Sequence, residues 1–370
     1  MVNLRNCKWN EFLAKLRNRP LYCFGCGELA KRLSKDVSGY DFYRHVVAFV
    51  DNDERKAGNT ICLDDRDIPV ISYPDFVKSR VRDSVMLITS MYYDEMLNQI
   101  DKENTLSGME CYIEVFLEEE KIQIATNDIF GKETGQIPKI IHYCWFGKKE
   151  IPDLYKQYIN SWKRHCPDYQ IIRWDESNYD YTKTMYTKEA YETGKWAFVS
   201  DYARLDIVYN YGGIYLDVDV EILKNFDLLL RNDMFCSFEK GNLVNTGLGF
   251  GAVKGFTELG KMRDMYQNIH FLQEDGSLNL TACTKYQTDY LVNRGLERNG
   301  KLQVINGIRV LPRTVLSPID FYGISDMTSD ETFAVHHYAA SWFSEKNSKD
   351  ILLRKNSELR KRMDCYVECC

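Results

Sequence analysis

Gly212-Gly213-Ile214-Tyr215-Leu216-Asp217-Val218-Asp219-Val220-Glu221-Ile222 is the stretch on which the reading of this chain turns. Its period is two: Ile214, Leu216, Val218, Val220 and Ile222 fall on one side, Tyr215, Asp217, Asp219 and Glu221 on the other. The apolar side predicts a strand laid on a core, and the other side sets three carboxylates in a row. Alternate side chains of a strand stand ~6–7 Å apart at a rise of ~3.3 Å per residue. Like charges that close resist ionising together unless a cation or strong donors compensate them. A hard divalent ion with oxygen ligands is the natural compensation, and phosphate oxygens can fill its open positions. The plainer explanation is an edge strand whose acids keep it soluble.

Upstream, residues 195–211 read as a helix that stops at Gly212-Gly213. Phe198, Tyr202, Leu205 and Tyr209 recur at i, i+4, i+7 and i+11 as its core stripe. Asp201 and Arg204, three apart, lie on another face. As a surface ion pair they contribute only ~0.3–0.5 kcal/mol. As part of a site they offer a carboxylate to sugar hydroxyls and a guanidinium fork to hydroxyl or phosphate oxygens. Further out, residues 137–147 read as a strand running into a loop, 154–165 as a helix and 169–174 as a strand. Thr332 to Tyr338 alternates as a strand, so His336 and His337 face opposite sides and only one can look into a metal site.

The first part of the chain has its own α/β pattern. Leu21-Tyr22-Cys23-Phe24 is followed by Gly25-Cys26-Gly27-Glu28-Leu29-Ala30 and a helical pattern through Leu33. Strands at Val46–Val50, ending at Asp51, at Val85–Thr89 and at Cys111–Phe116 complete the grammar of a dinucleotide-type fold. The polar, glycine-containing segment 126–136 reads as a linker.

Composition narrows the function. A net charge of −6 argues against a nonspecific nucleic-acid binder. No run of ~20 apolar residues spans a bilayer, and the first residues lack the apolar core of a secretory signal. The twelve cysteines are scattered, and the Cys23/Cys26 pair has no second pair at zinc-site spacing, so they read as reduced thiols in a cytoplasmic protein. The 25 tyrosines and 18 phenylalanines favour a carbohydrate or nucleotide ligand mildly, because ring faces partner sugars and bases.

Ser200-Asp201-Tyr202-Ala203-Arg204, followed by Tyr211 through Asp219, resembles the sugar-binding region of the D-x-D glycosyltransferases. It is most similar to glycosyltransferase family 32, which includes capsule and lipopolysaccharide enzymes and yeast mannosyltransferases, and it also resembles the catalytic core of the large clostridial glucosylating toxins. Pro138-Lys139-Ile140-Ile141-His142-Tyr143-Cys144-Trp145-Phe146-Gly147 and His336-His337-Tyr338-Ala339-Ala340-Ser341-Trp342 fit the same pattern, which covers roughly residues 137 to 345.

The resemblance implies an α/β chain: a GT-A-type nucleotide-sugar-binding domain at 137–370, preceded by a small Rossmann-like domain at 1–128. It implies a retaining transfer of a hexose from a nucleotide sugar, UDP-linked, with manganese or magnesium. The acceptor would be a glycan or lipid-linked saccharide in surface polysaccharide synthesis, reached in the cytoplasm with peripheral membrane association. By the same resemblance Trp145 stacks on the base, and Asp201 and Arg204 hold the donor sugar with Ser200 and Tyr215 beside them. Asp217 touches the metal shell and the ribose or sugar. Asp219 ligates the metal, with His336 as a third ligand and His337 as the second choice. Ser341 and Trp342 close over the diphosphate, although the toxins separate these two by one residue and this chain does not. Asn242, Asn245, Gly247 and Gly249 lie where an acceptor-side loop would approach the sugar. Two other readings remain: a nicotinamide-dependent oxidoreductase working through the first domain, and a non-catalytic nucleotide or sugar sensor on the same scaffold.

Overall fold

Continuous apolar runs, rather than alternating ones, mark the strands of a parallel sheet covered on both faces. Leu21–Phe24 and Val85–Ile88 are such runs, and every residue in them is buried. The computed structural model describes residues 1–27, 29–34, 41–131, 136–338 and 346–364, which divide into two compact units.

The first unit holds β1 (Asn3–Leu4), β2 (Leu21–Phe24), β3 (Val46–Asp51), β4 (Thr60–Leu63), β5 (Arg66–Ser72), β6 (Val85–Ile88) and β7 (Glu110–Ile113). Across the sheet they run β1-β7-β6-β2-β3-β5-β4, parallel throughout except for the β4–β5 hairpin. The order reverses direction between β2 and β6, the switch point of a doubly wound sheet. The hairpin, absent from the sequence reading, turns on Asp64 and Asp65, both at positive φ, as a tight two-residue turn requires.

The glycine turn after β2 departs from expectation. It leads into a short 3-10 turn, Ala30–Leu33, where a full helix was expected. Gly25, at φ +105°, packs so close to the β6 end that an added Cβ would sit 2.8 Å from Thr89 O. Asp51 is engaged by its own chain: it accepts from Cys26 N, Cys26 Sγ, Asp53 N and Lys56 Nζ. Gly25 thus serves close packing of the loop against the end of β6, whereas a Cβ at Gly27 would meet nothing within 4 Å.

The unit boundaries also differ from the sequence expectation of 1–128 and 137–370. The first unit comprises 1–120 and 350–370, and the second 121–349. Ile124, Ile129 and Ile137 are buried in the core of the second unit, and Asp128 O accepts from Arg309 Nη1. The described residues 126–131 of the segment read as a linker are therefore packed chain. At the other end, the helix Lys346–Asp364 returns to the first unit: Tyr93 Oη donates to Asn356 Oδ1, and Lys355 and Arg362 pair with Asp94 and Asp101.

The second unit contains β8 (Ile140–Cys144), β9 (Gln170–Trp174), β10 (Gly213–Tyr215), β11 (Val220–Ile222), β12 (Met234–Glu239), β13 (Leu243–Asn245), β14 (Phe250–Ala252), β15 (Gln303–Ile305), β16 (Ile308–Leu311) and β17 (Ala334–His336). One sheet runs β15-β16-β12-β14-β10-β8-β9, with β13 paired to β12; β11 and β17 form a separate antiparallel pair. The mixed α/β class read from the sequence is the class observed. Against the sheet lies the helix Trp196–Tyr211, buried along almost its whole length from Val199 to Val208, Asp201, Arg204 and Asp206 included. It ends where expected, with Gly212 at φ +68° and its N–H bonded to Val208 O. A helix apolar on one stripe faces a core; one buried all round has a second partner. Here the polar residues of that second side meet the acidic segment.

Candidate active site

The acidic stretch is not one strand. β10 ends at Tyr215, a turn closed by Val220 N to Asp217 O takes the chain through Val218 and Asp219, and β11 then joins the other sheet. The strict alternation predicted for 212–222 therefore breaks at the two aspartates. Glu221 leaves their company: His337 Nε2 lies 3.0 Å from its Oε2, and the imidazole stacks on Tyr158 at 4.4 Å. Asp217 and Asp219 instead converge with His336, one ligand atom of each lying within 4.8 Å of the other two.

Each partner is placed by backbone contacts. β17 pairs antiparallel with β11 so that His336 sits opposite Val220, one residue beyond Asp219. His337 N donates to Asp219 O, which fixes the turn to the strand. The helix Asp153–His165 pins the far side: Trp162 Nε1 donates to Val220 O at 2.7 Å, and Ser161 Oγ accepts from Ile222 N at 2.9 Å. Of the two histidines, His336 is the one directed at the aspartates, its Nε2 3.1 Å from Asp219 Oδ1.

The helix supplies the positive charge. Arg204 Nη2 lies 3.2 Å from Asp217 Oδ1 and 3.1 Å from Asp201 Oδ1, and its Nη1 reaches Cys283 Sγ at 3.5 Å. Tyr215 Oη donates to Asp217 Oδ1 at 2.9 Å. Burial pushes the Asp201 carboxyl up to about 6 against the opposing pull of Arg204. Burial likewise raises Asp217, with Arg204 opposing and Asp219 adding to the rise. Burial on its own lowers the His336 pKa, but the Asp219 carboxylate overrides it and the net shift is upward. Two carboxylates held in apolar surroundings and only partly neutralised form a site with surplus negative charge.

The donor set fits a hard divalent cation. Two carboxylates and one imidazole suit manganese or magnesium, and a span of 4.8 Å is roughly twice the ~2.0–2.6 Å metal–oxygen distances of such ions. Among the described residues, His336 Nδ1 and Arg204 Nε are buried without a hydrogen-bond partner, which is uncommon for polar atoms so enclosed.

The remaining sequence candidates are distributed unevenly. Trp145 follows β8, half-buried, with its indole N–H on Lys149 O and its edge toward Tyr155, whose hydroxyl feels the Asp219 charge. Ser200 lies on the same helix as Asp201, its hydroxyl donating back to Trp196 O. Tyr215 is fully buried, so it acts on Asp217 through its hydroxyl and presents no face to a ligand. Ser341 and Trp342 lie outside the described residues. Asn242 is a turn residue at φ +54°, bonded through its carbonyl to Arg298 and away from the aspartates. His142 is buried and kept neutral, its pKa lowered to about 4 by burial; it bridges Gly212 O and Trp174 Nε1 and is a structural residue.

Gly247 is the contact that spacing alone did not reveal. Its carbonyl accepts from Asp217 N, and a Cβ added there would overlap Asp217 Oδ2 and lie 3.2 Å from Arg204 Nη1. Its backbone is outside the left-handed region, so glycine is needed for the close approach and not for φ. Gly247→Ala is expected to keep the fold while displacing the carboxylate. The measurable result is a ~10–100-fold loss of divalent-cation affinity at nearly unchanged melting temperature, the range seen when groups supporting metal ligands are disturbed.

Residues 152–236 match the family model for "Glycosyltransferase sugar-binding region containing DXD motif". Inositol phosphoceramide mannosyltransferase 1 of Schizosaccharomyces pombe is 28% identical over 238 residues, 60% of this chain and 69% of that one. Inositol phosphoceramide mannosyltransferase 3 of the same yeast is 34% identical over 116 residues, 29% of this chain and 31% of that one. Among solved structures, the PaToxG glycosyltransferase aligns with 42% of this chain and 68% of its own at a TM-score of 0.34 and 21% identity. The matched segment contains Asp201, Arg204, Asp217 and Asp219, so the carboxylates gathered around Arg204, with the D-x-D sequence Asp217-Val218-Asp219, fall within the part of the chain that is similar to that family.

Proposed function

We propose that this chain is a GT-A-type, divalent-metal-dependent glycosyltransferase. It moves a hexose, with retention of configuration, from a nucleotide sugar to a hydroxyl of a saccharide or lipid-linked acceptor. The observation that carries the reading is the convergence of His336 with Asp217 and Asp219, the two aspartates of the D-x-D sequence in the matched segment 152–236. These three residues would hold manganese or magnesium. The cation, when bound, neutralises the charge that develops on the departing diphosphate.

The chain's own residues do the rest. Arg204, held between Asp201 and Asp217, presents a fixed guanidinium to the donor sugar and its phosphate oxygens. Asp201 accepts from sugar hydroxyls, and Trp145 at the β8 end offers a ring face to the base. The glycosidic carbon–oxygen bond to the diphosphate breaks with its electron pair going to the phosphate oxygen, and the acceptor oxygen forms the new bond to the same face of the sugar as it gives up its proton to that departing oxygen. UDP is the base we assign, in keeping with the D-x-D resemblance. The printed names of the yeast relatives make mannose the first sugar to try and a sphingolipid headgroup the first acceptor, ahead of a capsular or lipopolysaccharide acceptor. No described helix is long and apolar enough to cross a membrane. We place the enzyme in the cytoplasm, meeting lipid-linked acceptors peripherally.

Calorimetry tests this directly. UDP is expected to bind at least ~10-fold more tightly with manganese than without it, a difference of about 1.4 kcal/mol. GDP, titrated alongside, reports the base preference. If neither nucleotide gains from manganese or magnesium, the assignment of the acidic turn is wrong.

A further inference from the structure

Next to the metal-ligand cluster runs a line of polar contacts that no role yet accounts for. β12 ends at Glu239 and β13 ends at Asn245; the two strands pair with Ser237 opposite Asn245 and Glu239 opposite Leu243. Glu239 and Asn245 are therefore diagonal neighbours on one face, close enough to bond. Asn245 Nδ2 donates to Glu239 Oε2 at 2.9 Å, and Asn245 Oδ1 accepts from Gly247 N at 2.7 Å. Gly247 in turn lies against the Asp217 carboxylate and takes its backbone N–H.

The Asn245 amide accepts at one end and donates at the other, and the Glu239 carboxylate, which accepts only, decides which end is which. With Glu239 in place, Asn245 must offer its oxygen to Gly247. Without it, the amide is free to rotate, and the Gly247 N–H loses a fixed partner. The loop that limits where Asp217 Oδ2 can stand then loosens.

We infer that Glu239 is a positioning residue of the cation site, acting through the Asn245 amide and the Gly247 backbone to hold Asp217 in its ligating position. This inference rests on the cation reading of Asp217, Asp219 and His336. It adds a residue from outside the matched region 152–236, on the strand that the main sheet shares with β13 and β14.

The test is manganese binding by the whole chain, followed by loss of the free-ion electron paramagnetic resonance signal, with no nucleotide or turnover involved. Glu239→Ala is expected to weaken binding ~10–100-fold, whereas Glu239→Gln, whose carbonyl oxygen still accepts from Asn245 Nδ2, should stay within about threefold of the parent. Asn245→Ala should match Glu239→Ala, and the double variant should be no worse than either single one, because both changes cut one line. Thermal unfolding of each variant separates loss of fold from loss of position, and the glutamine variant remains informative if the alanine variant fails to fold. Glu239→Ala binding as tightly as the parent, Glu239→Gln weakening as much as Glu239→Ala, or additive losses in the double variant would each overturn the inference while leaving the cation site standing. A parent chain that takes up no manganese would remove the cation reading, and this inference with it.

Discussion

Asp219→Asn is expected to abolish the manganese-dependent gain in UDP affinity and to leave the metal-free chain at least as stable as before. Asp219 is buried, faces His336 at 3.1 Å and adds to the charge that keeps Asp217 hard to ionise. Without a cation this is repulsion, so an uncharged amide of the same shape relieves it. With a cation the sign reverses: a unit charge pair ~4 Å apart at an effective dielectric of ~20 is worth about 4 kcal/mol. That corresponds to a loss on the order of 1,000-fold in cation affinity. Calorimetry with and without manganese, beside a thermal scan of the metal-free protein, reads both halves. A variant that keeps the manganese effect, or that unfolds many degrees earlier without metal, removes Asp219 from the ligand set.

Arg204→Met acts in the opposite way, on the fold before the function. The guanidinium is buried and neutralises Asp201 and Asp217 together, at 3.1 and 3.2 Å. Its removal leaves two carboxylates without compensation, and breaking a buried pair by taking one partner away costs ~3–5 kcal/mol. For a unit of this size that lowers the melting temperature by roughly 10 °C. The defect should shrink on acidification. The Asp201 pKa is already raised, to about 6 with Arg204 present, and losing the arginine raises it further. A carboxyl whose folded pKa lies above its unfolded one favours the folded state when protonated, and that contribution is lost as pH rises between the two values. The gap between variant and parent should therefore be smaller near pH 5 than at pH 7.5. An unchanged gap across that range would show that the two acids do not carry the cost.

Much of this was legible in the sequence, for reasons that differ element by element. The helix at Trp196–Tyr211 was readable because its apolar stripe and its Gly212 stop are both local signals. Strand alternation established only that one of His336 and His337 could face the aspartates; the pairing of β17 with β11 is what directs His336 at them. The alternation at 212–222 misled in one respect: the same pattern fits one strand or two short ones joined at Asp217–Asp219, and pairing with β14 on one side and β17 on the other settles it only in three dimensions. Gly247, Asn245 and Glu239 gained their meaning from contacts with distant Asp217, which no local period encodes. The glycine turn at Gly25–Gly27 had the letters of a phosphate-binding loop, yet packing against Thr89 and a 3-10 turn took the place of the open helix end.

The return of the last helix to Asp94, Asp101 and Tyr93 has a consequence for how the molecule is made. Residues 121–349 are, in chain order, an insertion within the other unit. Residues 121–349 are synthesised before the segment that completes the amino-terminal unit. A stop codon shortly before residue 350 would thus spare the metal-ligand cluster and strike the part of the protein translated first.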